Sequence, residues 1–212
     1  YDYKKIKLLI DLLNLNKNKE VLGNHLKTFI GNYSIIARKN NFQFSCVDSI
    51  RAYPVFYSFK ENKISFDPSF IIKNIEFDEK GVTELSMSSY VLNNRTLFKD
   101  IYQVRPGEMI FLPSNIKYQY FKFYPVRISN KNIDELSKEL DFITNKIISR
   151  LISKYKEKKI LVPLSGGLDS RLVLSKLVEL GCENLEAVTY GVNNNGELKI
   201  AEEVAKKLNV KW

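Results

Sequence analysis

The spacing of apolar residues gives the C-terminal part of the chain a regular alternation of helices and strands. Isoleucine and leucine recur at helical intervals over residues 133–151. Asn132 with Glu135 forms a variant of the capping box at the start of that helix. The apolar run 159–162 then predicts a short buried strand, and helical spacing returns over residues 172–180.

This alternation continues to the last residue. Gly181 ends the second helix, and residues 185–190 predict another strand. A loop at 191–196 leads into a helix at 197–208, and residues 210–212 begin a third strand. Because strands alternate with helices, we expect right-handed crossovers and a parallel sheet, which is an α/β fold.

The N-terminal part of the chain carries the short patterns of an antiparallel sheet. Residues 6–13 have the spacing of an amphipathic helix, and residues 78–92 that of a second one, capped by its first residue. Strands are predicted at residues 33–38, 42–47, 51–59, 64–66, 101–112 with a turn at Pro106-Gly107, and 118–124. Pro125 marks a boundary. The sequence therefore predicts an α+β, mainly antiparallel domain over residues 1–125 and an α/β domain over residues 126–212.

Composition narrows the classes of function. Of the 212 residues, 44% are hydrophobic, enough for two modest domains. No stretch reaches the roughly 18 consecutive apolar residues of a membrane span, and no signal sequence opens the chain. The net charge of +9 comes from lysines mixed with acidic and amide residues, which favours a solvated surface over a nucleic-acid-binding face. The chain opens at Tyr1 and stops at Trp212 inside a predicted strand, so we expect a fragment of a longer protein.

Cysteine and histidine usage predicts neither a metal site nor a disulfide framework. Cys46 and Cys182 are far apart and lie in apolar surroundings, which favours buried thiols and a reducing, cytoplasmic location. His25 is the only histidine, so we expect a surface or capping role for it.

The most informative segment joins the strand at 159–162 to the helix that follows it. Residues 163–171 are Pro-Leu-Ser-Gly-Gly-Leu-Asp-Ser-Arg. Two adjacent glycines allow a tight turn and a close approach by an anion. The helix N-terminus and the hydroxyls of Ser165 and Ser170 supply donors. Neither the Walker pattern nor the dinucleotide fingerprint is present. Because Asp169 would repel a bare phosphate, its place here indicates a Mg²⁺ ion between carboxylate and phosphates.

The Ser-Gly-Gly-Leu-Asp-Ser string at 165–170 resembles the PP-loop of ATP pyrophosphatases, which cleave ATP between the α- and β-phosphates. The resemblance implies ATP and Mg²⁺ as cofactors and an adenine nucleotide α-hydrolase-like fold for residues 126–212. The implied nucleotide-binding residues are Leu164, Ser165, Gly166, Gly167, Asp169, Ser170 and Tyr190, with Leu164 and Tyr190 against adenine and Asp169 as the metal ligand.

Two charged residues near the loop leave alternatives open. Glu197 matches the acidic residue that opens the family's next helix, and a first-turn carboxylate that favours the helix dipole explains it equally well. Arg171 could contact phosphate or pair with a carboxylate on the surface.

The N-terminal part of the chain resembles class II glutamine amidotransferase domains. Residues 29–36 resemble their L-x-G-x-F-A stretch, and Asp48 followed by residues 54–57 resembles R-D…G-x-x-P-L-Y-Y. Residues 101–112 resemble the I-x-x-L-x-P-G-x-x-L exit from that domain. This order, followed by a PP-loop, is similar to asparagine synthetase and its relatives.

Several positions depart from that family pattern. Val47 and Arg51 stand where the family has arginine and glycine, and residues 67–69 are Asp-Pro-Ser where an Ala-Ser-Glu type sequence is usual. The family's nucleophile is an N-terminal cysteine, whereas residue 1 here is Tyr. The glutamine-binding strings R-G-P-D and N-G-E-I-Y-N are absent. We therefore carry over no glutaminase residue and expect no glutamine hydrolysis by this chain.

Together the resemblances imply an asparagine synthetase-like, ATP-dependent carbon–nitrogen ligase. The enzyme would adenylate a small carboxylate with release of pyrophosphate and form an amide with ammonia or a glutamine-derived nitrogen. A homodimer is a possible assembly, and we expect neither a membrane nor a nucleic-acid partner. The open alternatives are an adenylating enzyme of β-lactam or peptide cyclisation or of polysaccharide amidation, a PP-loop enzyme acting on tRNA, and a non-catalytic nucleotide-binding homologue. No catalytic residue is assigned.

Overall fold

A computed structural model describes residues 3–14, 18–123, 129–191 and 196–212, and the chain divides into two compact units, Tyr1–Val126 and Arg127–Trp212. The first unit contains helices α1 (Tyr3–Asn14), α2 (Lys19–Leu26) and α3 (Glu79–Ser88), and a 3₁₀ turn at Pro68–Phe70. Its strands are β1 (Ser34–Lys39), β2 (Phe42–Val47), β3 (Phe56–Ser58), β4 (Lys63–Ser65), β5 (Tyr102–Gln103), β6 (Glu108–Leu112) and β7 (Ile116–Gln119). The second unit contains α4 (Ile133–Lys154), β8 (Ile160–Pro163), α5 (Leu168–Glu179), β9 (Leu185–Val188) and α6 (Gly196–Lys207).

Two antiparallel sheets form the first unit. One has the order β1-β2-β6-β7 and the other β4-β3-β5. Successive side chains of β2 point to opposite faces, so Phe44 and Cys46 pack toward α1 and α2 while Val47 packs toward the smaller sheet. The first unit therefore has a helix layer, a four-stranded sheet and a three-stranded sheet, with one apolar core on each side of the larger sheet.

Several elements of the first unit differ from the sequence prediction. Helix α2 was not predicted, and its Gly23 lies so close to the end of β7 that a Cβ there would be 3.0 Å from the ring of Tyr118 and 2.9 Å from the Cβ of Tyr120, just after the strand. The strand predicted over 51–59 is reduced to β3, because the carboxylate of Asp48 holds the preceding amides in a loop. The helix predicted through residue 92 ends four residues earlier, where Ser89 adopts a left-handed conformation with φ 63°.

Tyr124 and Pro125, which the sequence assigns to the last strand and the domain boundary, lie outside the described residues. The described part of the aromatic segment is in strand conformation only through Gln119. The loop predicted at 191–196 is likewise outside the description, apart from its first and last residues.

The second unit confirms the predicted parallel pairing. Strands β8 and β9 are adjacent and parallel, with Ile160 opposite Leu185 and Pro163 opposite Val188. A single parallel bridge joins Glu186 to Lys211, where the third strand was predicted. The architecture is therefore mixed α/β, with antiparallel sheets in the first unit and a small parallel pair in the second.

Helices α4, α5 and α6 cover the core of the second unit. The side chains of Ile148, Leu174 and Ala201, one from each helix, are buried together with Val162 and Ala187 of the strands. Lys176 of α5 forms ion pairs with Asp141 of α4 and with Glu179 of its own helix, which raise its pKa. This packing fixes the first turns of α5 relative to the end of β8.

Candidate functional site

The candidate site lies where β8 ends and α5 begins. The amide of Leu164 donates to the carbonyl of Val188 at 2.8 Å, so strand pairing extends to the edge of the loop. The Thr189 hydroxyl donates to the Leu164 carbonyl at 2.7 Å, and the indole N–H of Trp212 donates to that hydroxyl at 2.8 Å. Sequence reasoning missed Thr189 because a lone threonine after a strand carries no distinctive signal. These bonds tie the carboxyl ends of the strands together at the edge where α/β sheets bind ligands.

Ser165 and Ser170 close the loop between them. Their hydroxyl oxygens are 3.1 Å apart, and the Ser165 amide donates to Ser170 Oγ at 3.1 Å. The amide of Gly167 donates to Ser165 Oγ at 3.2 Å. The structure thus brings together the two serines that the sequence indicated as donors. Because a hydroxyl can rotate, each can exchange a bond inside the loop for one to a ligand.

Helix α5 begins without a side-chain cap. Its N-cap residue is Gly167, which makes no capping hydrogen bond, whereas Asn132 and Glu135 form a complete capping box at the start of α4. The capping box is a confirmed prediction. The first amide groups of a helix have no partner within the helix itself. Those of α5 are therefore available to an anion, which the helix dipole also favours.

Asp169 occupies the second position of this uncapped helix and is exposed to solvent. Within the described residues, no group of three or more His, Cys, Asp and Glu side chains is placed to hold a metal ion. A cation at Asp169 would therefore be held by this carboxylate together with oxygen atoms of a ligand or water. That arrangement is typical of Mg²⁺, which usually binds through one or two carboxylates plus phosphates and water.

Neither glycine of the loop adopts a positive φ, so the tight turn is not the reason for them here. A Cβ at Gly166 would lie 3.3 Å from Cγ of Glu197, at the start of α6. A Cβ at Gly167 would lie 3.3 Å from Ser165 Oγ. The glycines therefore permit close packing of the loop. Glu197, which the sequence indicated as a possible site residue, lies beside Gly166.

Arg171 forms a contact that differs from both alternatives weighed from the sequence. Its guanidinium Nη2 donates to the carbonyl of Gly166, five residues earlier, and so binds the loop itself rather than a surface carboxylate. Its Nε is buried and has no hydrogen-bond partner among the described residues. The side chain is thus half-buried against the loop that carries the candidate site.

The two residues assigned to adenine lie in very different environments. The side chain of Leu164 is 2% exposed and packs in the core with Val162 and Leu174. The strand alternation directs that side chain inward, and the adenine-lining role that the resemblance implies for Leu164 stays a prediction. Tyr190 is 88% exposed and follows β9 at the same edge of the sheet.

In the first unit, the Asp48 carboxylate organises a loop. It is 2% exposed and accepts the amides of Tyr33 at 3.0 Å, Ile50 at 2.9 Å and Ala52 at 3.2 Å. The Asp48 carbonyl accepts the amide of Gly107 at 2.8 Å. These hydrogen bonds give Asp48 a structural role, which is to hold the backbone of this loop.

The cysteines and the histidine make structural contacts. Cys46 is fully buried, which raises the pKa of its thiol by desolvation, so the prediction of a buried thiol is confirmed there. Cys182 is only partly buried, contrary to the prediction, because it lies in the connection between α5 and β9; both thiols are free. His25 lies 2.9 Å from the Lys5 carbonyl through Nε2 and packs edge-to-face on Phe29.

None of the helices in the described part of the chain combines the length and the hydrophobicity that crossing a bilayer requires. Comparison with protein-family models gives no match, and a search among curated proteins gives none that is significant.

Proposed function

We propose that this chain carries the ATP-binding part of an asparagine synthetase-like, ATP-dependent carbon–nitrogen ligase, with residues 165–170 as its PP-loop. The observation that carries the proposal is the strand–loop–helix unit at the carboxyl edge of a parallel pair. The helix of that unit has no side-chain cap and has an exposed aspartate in its first turn. Uncapped amides attract phosphate, and a carboxylate beside a bound phosphate is favourable only with a cation between them.

In this proposal the loop binds the triphosphate of ATP. The first amides of α5 and the hydroxyls of Ser165 and Ser170 donate to phosphate oxygens, Asp169 holds Mg²⁺, and Tyr190 contacts the adenine. The Leu164 side chain stays in the core. The bound Mg²⁺ would neutralise charge on the β- and γ-phosphates.

The proposed reaction has two steps. A substrate carboxylate oxygen bonds to the α-phosphorus of ATP, the bond from that phosphorus to the bridging oxygen breaks, and pyrophosphate leaves. A nitrogen nucleophile then attacks the acyl carbon and displaces AMP, losing a proton as the amide forms. Charge develops on the pyrophosphate leaving group, so fixed donors at the loop stabilise the first transition state. The nitrogen donor in this proposal is ammonia, an amine, or a glutamine-derived nitrogen supplied by a segment outside these 212 residues, because Cys46 and Cys182 both lie inside the sequence and a class II glutaminase uses an N-terminal cysteine.

Nucleotide binding is tested by calorimetry with MgATP on the wild-type chain and on Asp169→Asn. We expect Asp169→Asn to lose the Mg²⁺ dependence of binding and to weaken MgATP binding by roughly tenfold or more, about 1.4 kcal/mol. Asp134→Asn is a matched control, because Asp134 occupies the same second position in α4, whose cap is complete. If both variants bind MgATP like the wild type, Asp169 holds no cation.

The chemical step is tested by pyrophosphate release from ATP with a panel of small carboxylates, using the full-length protein. Release that depends on one carboxylate supports a ligase and identifies its substrate. ATP binding without release from any carboxylate would instead indicate a non-catalytic nucleotide-binding protein. Binding to tRNA that weakens steeply with salt would point to an RNA substrate.

A further inference from the structure

The peptide group between Gly166 and Gly167 is held from both sides. Its carbonyl oxygen accepts a hydrogen bond from the Arg171 guanidinium, and its N–H donates to Ser165 Oγ at 3.2 Å. Because a trans peptide is planar, its C=O and N–H point in opposite directions. Arg171 therefore draws the carbonyl to one side of the loop and leaves the N–H on the side where the hydroxyls of Ser165 and Ser170 meet.

The orientation of this peptide decides whether the loop attracts or repels an anion. With the N–H on the serine side, this amide and the two serine hydroxyls can all donate to a phosphate placed there. A rotation of the peptide by about half a turn would put a carbonyl oxygen there instead, and its partial negative charge would oppose phosphate. It would also move φ of Gly167 from its present −80° into the positive region, which glycine adopts readily. The glycine pair thus leaves the wrong orientation accessible unless another group opposes it.

Arg171 is placed to oppose that rotation. It lies on α5, whose packing on α4 and β8 fixes it relative to the loop. Its guanidinium is planar and carries several donors, so it can hold a carbonyl in a fixed direction, which the single ammonium group of lysine does less well. Its Nε finds no partner in the described residues, so the contact with Gly166 is the polar contact that accounts for the side chain's position.

We propose that Arg171 is a positioning residue that keeps the Gly166–Gly167 peptide in the orientation that binds phosphate. This inference rests on the proposed function, since it assigns the phosphate groups of ATP to the loop. Arg171 acts through the peptide and does not itself contact the nucleotide.

The test compares Arg171→Met and Arg171→Lys with Arg150→Met, an exposed arginine of α4 in the same unit. Binding of pyrophosphate, ATP and adenosine is measured for each, and NMR of selectively labelled glycine follows the Gly166 carbonyl and the Gly167 amide. We expect Arg171→Met to weaken pyrophosphate and ATP binding by about tenfold, the equivalent of one hydrogen bond, and to leave adenosine binding unchanged. Arg171→Lys should restore part of the affinity, and Arg150→Met should match the wild type.

The outcomes separate this inference from the proposed function. In the ligand-free protein, Arg171→Met should shift the signals of the Gly166 carbonyl and the Gly167 amide. Unchanged signals together with unchanged pyrophosphate binding overturn the role of Arg171 and leave the proposed function intact. If Arg171→Met weakens adenosine and pyrophosphate binding equally and lowers the unfolding temperature, Arg171 has a general structural role. That outcome also overturns its proposed role in orienting the peptide. A wild-type protein that binds neither ATP nor pyrophosphate refutes the proposed function, and the phosphate role of Arg171 with it.

Discussion

Replacing Asp48 by asparagine measures how much one buried carboxylate stabilises the first unit. Its two oxygens accept the amides of Tyr33, Ile50 and Ala52 at 3.0, 2.9 and 3.2 Å. Asparagine keeps one acceptor oxygen and presents an NH₂ group in place of the other, so at least one of these amides loses its acceptor. A hydrogen bond to a charged group contributes about 1.5–3 kcal/mol, and a buried donor left unpaired costs about 1–3 kcal/mol. We therefore expect Asp48→Asn to lower the free energy of unfolding by about 3 kcal/mol.

The assay is urea unfolding followed by circular dichroism, with amide hydrogen exchange at Tyr33, Ile50 and Ala52. Faster exchange at these amides locates the effect at the loop. Asp78→Asn is the control, because Asp78 accepts one amide, that of Gly81 at 2.7 Å, and asparagine caps helices about as well as aspartate. Its effect should stay within about 0.5 kcal/mol. Equal and small effects of the two variants would refute the reasoning.

Two further predictions concern titratable groups. Burial raises the pKa of both thiols, but only Cys46 is completely enclosed. An alkylating reagent should therefore modify Cys182 first in the native protein, which mass spectrometry of the labelled protein would detect. Labelling of Cys46 at the same rate would contradict the packing. Lys159 and Lys211 lie 2.7 and 3.0 Å from the Glu186 carboxylate, and the hydrogen bond from Lys159 is the largest cause of its lowered pKa. A lowered pKa stabilises the fold above the ordinary glutamate value of 4.5, and that contribution is lost as the pH falls through the lower native value. Urea midpoints of the wild type should therefore fall more steeply below about pH 4.5 than those of Glu186→Gln, and parallel curves would exclude the ion pairs as the cause.

The second unit was predictable where the signals are local. A short apolar run, a glycine pair and a helical pattern predicted β8, the loop and α5 in order. The pairing of Asn132 with Glu135 is set by residues three apart, so the capping box could be recognised from sequence alone.

What could not be predicted depends on contacts between distant segments. The start of α6 lies against Gly166, and no pattern of residue spacing along the chain indicates this contact. The inward direction of Leu164 and the bond from Arg171 to the loop carbonyl follow from how α5 packs on β8. Helix α2 could not be predicted because Gly23 lowers the helix propensity of its segment. The structure shows that a glycine is needed at this position because the helix approaches Tyr120 closely.

If residues 165–170 bind phosphate as proposed, the uncapped N-terminus of α5 places ligand binding and thermal stability in opposition at Gly167. Serine, aspartate or asparagine at position 167 would cap the helix and stabilise it by a few tenths of a kcal/mol relative to glycine. The new side chain would occupy the same amides that an anion needs, and its Cβ would crowd Ser165 Oγ at 3.3 Å. Thermostability engineering often adds N-cap residues to helices that lack them. At position 167 such a substitution would raise the stability of the protein and block the amides of the loop.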